Sequence, residues 1–177
     1  MKSNFQKLKI FINYFKKFFL SVNWYETTNK KTTIYKTKTN KKLIVLKSRA
    51  EVSKLYINEY FKKNKAKLKR FNKKSNFLAL VNQKRILCSG WIYFGSRWNI
   101  TEIDKNVYLN SQFLLFDFET PVHFRNRGYY KLLLKLIGKK FLNKKLAIYS
   151  LSHNMKSIKA IERSGFKLIK KIHGLRY

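Results

Sequence analysis

A single cysteine, Cys88, stands in 177 residues, which excludes an intramolecular disulfide and any zinc site built from several thiolates. One proline and six glycines leave no Pro-rich or Gly-rich linker. The three histidines, His123, His153 and His173, form no cluster with Cys or Asp at metal-ligand spacing, so no metal is expected and each reads as a surface or packing residue. Long apolar runs are also missing. Lys7, Lys9, Lys16 and Lys17 interrupt the first twenty residues and no small-residue cleavage site follows, so neither a signal peptide nor a spanning helix is expected and a cytoplasmic chain is. Scarcest relative to its opposite is negative charge: eight Asp plus Glu face 41 Lys plus Arg, a formal charge of +33.

What is abundant is the material of a core. With 45% apolar and 16% aromatic residues the chain is not a disordered tail. Its length suits one domain, and a chain of about 150 residues already buries roughly 70% of its unfolded surface. The positive field attracts polyanions, through which Lys-rich faces bind nucleic acid or an anionic membrane without sequence preference. Lys outnumbers Arg 33 to 8, however, and the accompanying Asn, Ile, Phe and Tyr are what an A/T-rich gene encodes, so the charge points only weakly to function. The carboxylates say more. Glu102, Asp104, Asp117 and Glu119, half of the eight, fall within eighteen positions, an arrangement that either pairs with nearby Lys or serves to bind a cation or move a proton.

Phe5, Leu8, Ile12, Phe15 and Phe19 recur at helical spacing, predicting a basic amphipathic helix over Phe5 to Leu20 that covers a sheet or lies on an anionic membrane. Lys31 to Lys47 reads as a hairpin centred on Thr39-Asn40, and Ala50 to Lys67 as a helix with Val52, Leu55, Tyr56 and Tyr60 on one stripe. Lys62 to Asn76 reads as a solvated helix end and loop. Strands are expected at Phe77 to Val81, Arg85 to Phe94 and Asn110 to Thr120. After Pro121 the period changes: a helix from Gly128 to Phe141 with Leu132, Leu133, Leu136 and Ile137 inward, a strand from Leu146 to Leu151, a helix from Met155 to Ser164 stopped by Gly165, and a last strand from Phe166 to Ile172. Trp91, Tyr93 and Trp98 read as sheet core, with an aromatic wall for a ligand as the alternative.

Two segments carry chemistry together. Phe124-Arg125-Asn126-Arg127-Gly128-Tyr129-Tyr130 lies where a strand hands over to a helix, and an anion there meets free backbone N–H groups, the positive end of the helix dipole and two Arg charges. Asn154 follows the next strand, can cap the next helix, and precedes the pair Gly165-Phe166. The order strand, Arg-x-x-Gly, helix, strand, Asn-x-x-Ser, helix, Gly-Phe, strand resembles the GNAT superfamily of acyl-CoA-dependent N-acetyltransferases, from about Phe77 to Ile172.

That resemblance implies an α/β fold with a mixed, mostly antiparallel sheet flanked by helices and strands parting at the coenzyme site. Residues 1–40 are then a basic extension and 41–177 the acetyltransferase-like domain. It implies acetyl-CoA as co-substrate, held at its pyrophosphate by Arg125, Asn126, Arg127, Gly128, Tyr129 and Tyr130, along its pantetheine arm by main-chain groups of Phe118, Glu119 and Thr120, and by Asn154. The acceptor is a primary amine of an amino sugar, a small amine or a protein, and the state a monomer or homodimer. Tyr130 stands where the family prefers Gly or Ala. Where members carry an acid Tyr or a base Glu, this sequence has Ile161 and Tyr149. The nearest catalytic substitutes are Asp117 and Glu119, which share a face of a regular strand but which a bulge would separate; the alternatives are water or a fold without catalysis. Two other functions stay open: a basic nucleic-acid-binding module, and a membrane-surface acyltransferase acting on lipid-linked sugar.

Overall fold

The computed structural model describes residues 20–27, 40–53 and 57–174. Among these, nine strands alternate with short helices: β1 Ser21–Thr27, β2 Lys41–Leu46, α1 Arg49–Ser53, α2 Asn58–Lys63, a 3-10 helix Lys65–Lys73, β3 Ser75–Asn82, β4 Arg85–Tyr93, β5 Arg97–Ile100, β6 Lys105–Tyr108, β7 Phe113–Glu119, α3 Tyr129–Lys140, β8 Leu146–Leu151, α4 Met155–Glu162 and β9 Phe166–His173. Seven strands make one sheet in the order β2-β3-β4-β7-β8-β1-β9, and β5 pairs with β6 in a separate hairpin. Only β7 and β8 run parallel within the large sheet. This is the mixed, mostly antiparallel α/β architecture expected from the sequence.

Both faces of the sheet are covered, which is why β3 and β4 read as continuous apolar runs rather than alternating ones. Along β3, Leu78 and Leu80 pack with Cys88, Leu115, Ile148 and the helix residues Leu133, Leu134, Ile137, Ile158 and Ile161. Their neighbours Phe77, Ala79 and Val81 point the other way, into a cluster with Phe61, Trp91 and Phe116. A third cluster lies under the β5–β6 hairpin, where Ile100, Ile103 and Leu109 meet Val22, Trp24 and Leu114. Shortening a fully buried residue such as Leu78 to Ala costs about 2–5 kcal/mol in sites of this kind.

The differences from the sequence reading have local causes. Ser21–Thr27, left in the N-terminal extension by sequence, is a strand between β8 and β9. The single helix expected over Ala50 to Lys67 is two, α1 ending at Ser53 and α2 starting at Asn58, and α2 stops at Asn64, whose side-chain amide donates to the Tyr60 carbonyl at 2.8 Å and takes the acceptor that a continuing helix needs. Beyond it the expected solvated loop is a 3-10 helix running to Lys73, ended by Lys74 in the left-handed conformation. On α3 the buried positions are Leu133, Leu134 and Ile137, with Leu132 and Leu136 half-buried. β2 pairs with β3, Leu43 opposite Leu80. The first arm of the expected hairpin, the helix expected over Phe5 to Leu20 apart from its last residue, and the stripe residues Leu55 and Tyr56 lie outside the described residues. Among the described residues no helix is long and apolar enough to cross a membrane.

Candidate active site

The site begins where two parallel strands part. β7 and β8 pair only through Phe113–Leu146, Leu114–Ala147 and Leu115–Ile148. Beyond that, β7 continues along β4 to the pair Glu119–Ser89, while β8 continues along β1 to the pair Leu151–Val22. The cause is a bulge: the register between β4 and β7 shifts between Ser89 and Trp91, and Asp117 takes φ 50°. The bulge also reverses the strand's alternation. Leu115 faces α3 and α4, so in a regular strand Asp117 and Glu119 would follow it there. Instead Phe118 takes that face, and both carboxylates turn to the opposite side. The expectation that a bulge would separate them is therefore corrected, because the extra residue places Asp117 in left-handed backbone beside Glu119.

On the α3 side, the segment after β7 forms a helix start left open to solvent. Asn126 and Gly128 both adopt positive φ, 60° and 72°, and among the described residues no side chain caps α3. A Cβ built on Gly128 would have no described residue within 4 Å, so the backbone there is approachable. Arg125, Asn126, Arg127 and Gly128 line this open stretch, and all four are exposed. Arg125 donates from Nε to the Thr120 carbonyl at 3.1 Å, which ties the loop to the end of β7. The start of α4 differs: Asn154 Oδ1 accepts from the Ser157 amide at 3.2 Å. The expected cap is formed by the Asn154 side-chain oxygen.

Tyr130 reaches from α3 toward α4. Its hydroxyl lies 3.5 Å from Ser157 Oγ and its ring 5.2 Å from that of Phe118. Burial raises its phenol well above the usual 10.0, so it stays protonated. Phe118 in turn lies flat on Gly90, where an added Cβ would come within 2.5 Å of the ring. Thr120 donates to Cys88 Sγ at 3.3 Å, and burial pushes that thiol up to about 11, which leaves it unreactive.

The opposite side is polar and tightly connected. Lys67 Nζ lies 2.6 Å from Glu119 and 3.8 Å from Asp117, and Arg70 pairs with Asp117. Tyr60 donates to Glu119 at 3.3 Å and accepts from Lys67 and Ser89. The hydrogen bond from Lys67 outweighs burial and holds the Glu119 carboxyl below its usual value. Arg70 spreads its guanidinium over Trp91 and Phe116, 5.6 Å from each ring. Beside it opens a cavity of about 350 Å³ lined by Arg70, Lys73, Trp98, Glu102, Asp117 and Tyr149. Burial, then the nearby Glu102 charge, pushes the Tyr149 phenol up to about 12. Trp98 Nε1 approaches that phenol, yet among the described residues the buried N–H has no hydrogen-bond partner of good geometry.

Of the sequence-derived site residues, Arg125 to Tyr130, Phe118 and Thr120 gather around the end of β7 and the start of α3, and the Tyr130–Ser157 contact links them to the helix that Asn154 caps. Asp117 and Glu119 lie on the other face with the 3-10 helix. His123, His153 and His173 are exposed. Trp91 is core, Tyr93 and Trp98 pack half-buried against the core clusters, and Trp98 also lines the cavity. Sequence reasoning missed Tyr60, Lys67 and Arg70. The three-residue spacing of Lys67 and Arg70 places them on one helical face, but the surrounding Lys residues hide it.

No family model and no curated protein matches the sequence. Solved structures do match. An acetyltransferase of the GNAT family from Colwellia psychrerythraea superposes with a TM-score of 0.53 at 12% identity, over 86% of this chain and 54% of its own. A GCN5-related N-acetyltransferase-like protein from Streptococcus suis gives 0.51 at 11%, over 93% and 65%. A conserved protein of unknown function from Staphylococcus epidermidis gives 0.56 at 8%, over 88% and 62%. The chain thus spans between about half and two thirds of the length of these structures. At such identities the likeness is one of fold, and the fold of this chain is GNAT-like.

Proposed function

We propose that the chain transfers an acetyl group from acetyl-CoA to a primary amine. The observation that carries this reading is the meeting, at one place, of an uncapped helix start flanked by two arginines with a pair of strands that part beside it. A diphosphate fits the first: the α3 amides and dipole favour an anion, Gly128 leaves open space, and Arg125 and Arg127 supply charge. A slender thiol arm fits the second, between β7 and β8. Acetyl-CoA supplies the activated acyl group as a thioester. Main-chain groups of Phe118, Glu119 and Thr120 then orient and polarise its carbonyl, a contribution typically worth about 10² to 10³ in rate.

The acceptor approaches from the opposite face, through the cavity beside Asp117. The acceptor ammonium first gives up a proton to water, and the free amine nitrogen bonds to the acyl carbon as the carbon–sulfur bond breaks. The displaced proton passes to the Asp117 carboxylate and on to water, and the thiolate is protonated from water. Glu119 is a positioning residue in this reading, since Lys67 holds it charged and anchors the bulge to the 3-10 helix. No reactive group on the α3 side is required, which fits Ile161 buried in the core.

The reading is tested by release of free thiol from acetyl-CoA in the presence of small amines, with Asp117→Asn alongside. Amine-dependent release that falls about 10²-fold or more in kcat in the variant is the expected result. An unchanged kcat in Asp117→Asn removes the proton-accepting role, and no release with any amine removes the acyl-transfer reading.

A further inference from the structure

We infer that the cavity between the 3-10 helix, the β5–β6 hairpin and β8 selects a zwitterionic acceptor, a free α-amino acid with an apolar or aromatic side chain. This inference rests on the acyl-transfer reading for what happens to the amine, but not for what binds.

The first argument is charge. Arg70 and Lys73 contribute two positive charges to the lining and Glu102 and Asp117 two negative ones, so the cavity is balanced within a chain of formal charge +33. Asp117 is already paired with Arg70 and Lys67. Glu102 has no ion pair among the described residues; its neighbours are hydroxyls, that of Thr101 at 3.3 Å and the Tyr149 phenol. Lys73, at the end of the 3-10 helix, is exposed and among the described residues has no carboxylate partner. One anion without a cation and one cation without an anion therefore face the same cavity. An ammonium suits Glu102 and a carboxylate suits Lys73. The field of the whole molecule repels a polycation such as a polyamine, whereas a zwitterion arrives with no net charge.

The second argument is the buried Trp98 N–H, which beyond a weak approach to the Tyr149 phenol has no hydrogen-bond partner among the described residues. A buried donor without an acceptor is unfavourable, and an anionic oxygen placed in the cavity removes that penalty. The third is shape and surface. A volume of about 350 Å³ stands at the low end of small-molecule sites. The rings of Trp98, Phe116 and Tyr149 give it an apolar wall, so the side chain of the amino acid is the part that they cover.

The test is calorimetric titration of the full chain, without coenzyme, using L-phenylalanine, L-leucine, L-phenylalaninamide, phenethylamine and spermidine. Phenylalanine or leucine is expected to bind at least about tenfold more tightly than the amide, the amine or spermidine. Glu102→Gln and Lys73→Gln, checked for fold by circular dichroism, are each expected to weaken that binding about tenfold, and Lys73→Gln is expected to level phenylalanine with its amide. Equal or tighter binding of the probes lacking a carboxylate overturns the inference, as does no binding of either amino acid. Thiol release is followed in parallel. Turnover of phenethylamine without preference for phenylalanine defeats the zwitterion assignment and leaves acyl transfer standing, while phenylalanine binding without thiol release does the reverse.

Discussion

Gly90 and Tyr130 each set the width of the gap beside β7. Phe118 occupies the space that a Gly90 side chain would need, so Gly90→Ala is expected to displace the ring and cost about 1–3 kcal/mol, read as a lower urea midpoint. Tyr130 fills the position where a small residue was anticipated, with its ring against Phe118 and its hydroxyl near Ser157. Tyr130→Ala is expected to bind acetyl-CoA several-fold more tightly than wild type while unfolding at lower denaturant; weaker binding would mean that the ring supports the coenzyme. Glu119 carries a pH signature. Its carboxyl titrates lower in the folded chain than the usual 4.5, so its contribution is fully present above that value and is lost as pH falls through the folded value. The melting temperature of wild type should exceed that of Glu119→Gln near pH 7, and the gap should narrow as pH falls below 4.5. An equal gap at both pH values would show that the Lys67 pairing contributes nothing. At this scale the Asn154 cap and the open helix start at Gly128 were legible because caps and Arg-x-x-Gly turns have local signatures. The sequence could not name Lys67 or Arg70, whose roles come from carboxylates about fifty positions away.

Elements were legible where apolar runs are long. β3, β4, β8 and β9 and the helices α3 and α4 appear within a few residues of their expected bounds. β1 was not seen, because its polar residues Ser21, Asn23, Glu26 and Thr27 and the register shift between Trp24 and Tyr25 obscure the alternation, and its pairing comes from strands over a hundred residues away. The four-residue strands β5 and β6 are too short to show a period. The break at Asn64 is a side-chain competition that periodicity does not register. The α4 cap is the best local test: Asn154→Ala removes the acceptor for the Ser157 amide and should lower stability by about 1 kcal/mol, whereas Asn154→Asp should retain it. Equal denaturation midpoints for all three proteins would show that the cap is not formed in solution.

For the molecule as a whole, the order of motifs along the chain carried the fold class, since a strand, an Arg-x-x-Gly helix start, a second strand and a capped helix admit few arrangements. The face on which the carboxylates lie was hidden, because one bulge decides it. The charge of +33 ensures some attraction for any polyanion, and that attraction should fall steeply between about 50 mM and 200 mM salt. Specific coenzyme binding should survive in part, since amides and open backbone at Gly128 supplement the charge. The most direct measurement is calorimetry with acetyl-CoA at about 200 mM salt, on wild type and on the Arg125→Ala, Arg127→Ala double variant. Saturable one-to-one binding in wild type, weakened about tenfold or more in the double variant, is the expected result. Equal affinity in the two proteins, or no binding in either, would contradict the placement of the diphosphate at the start of α3.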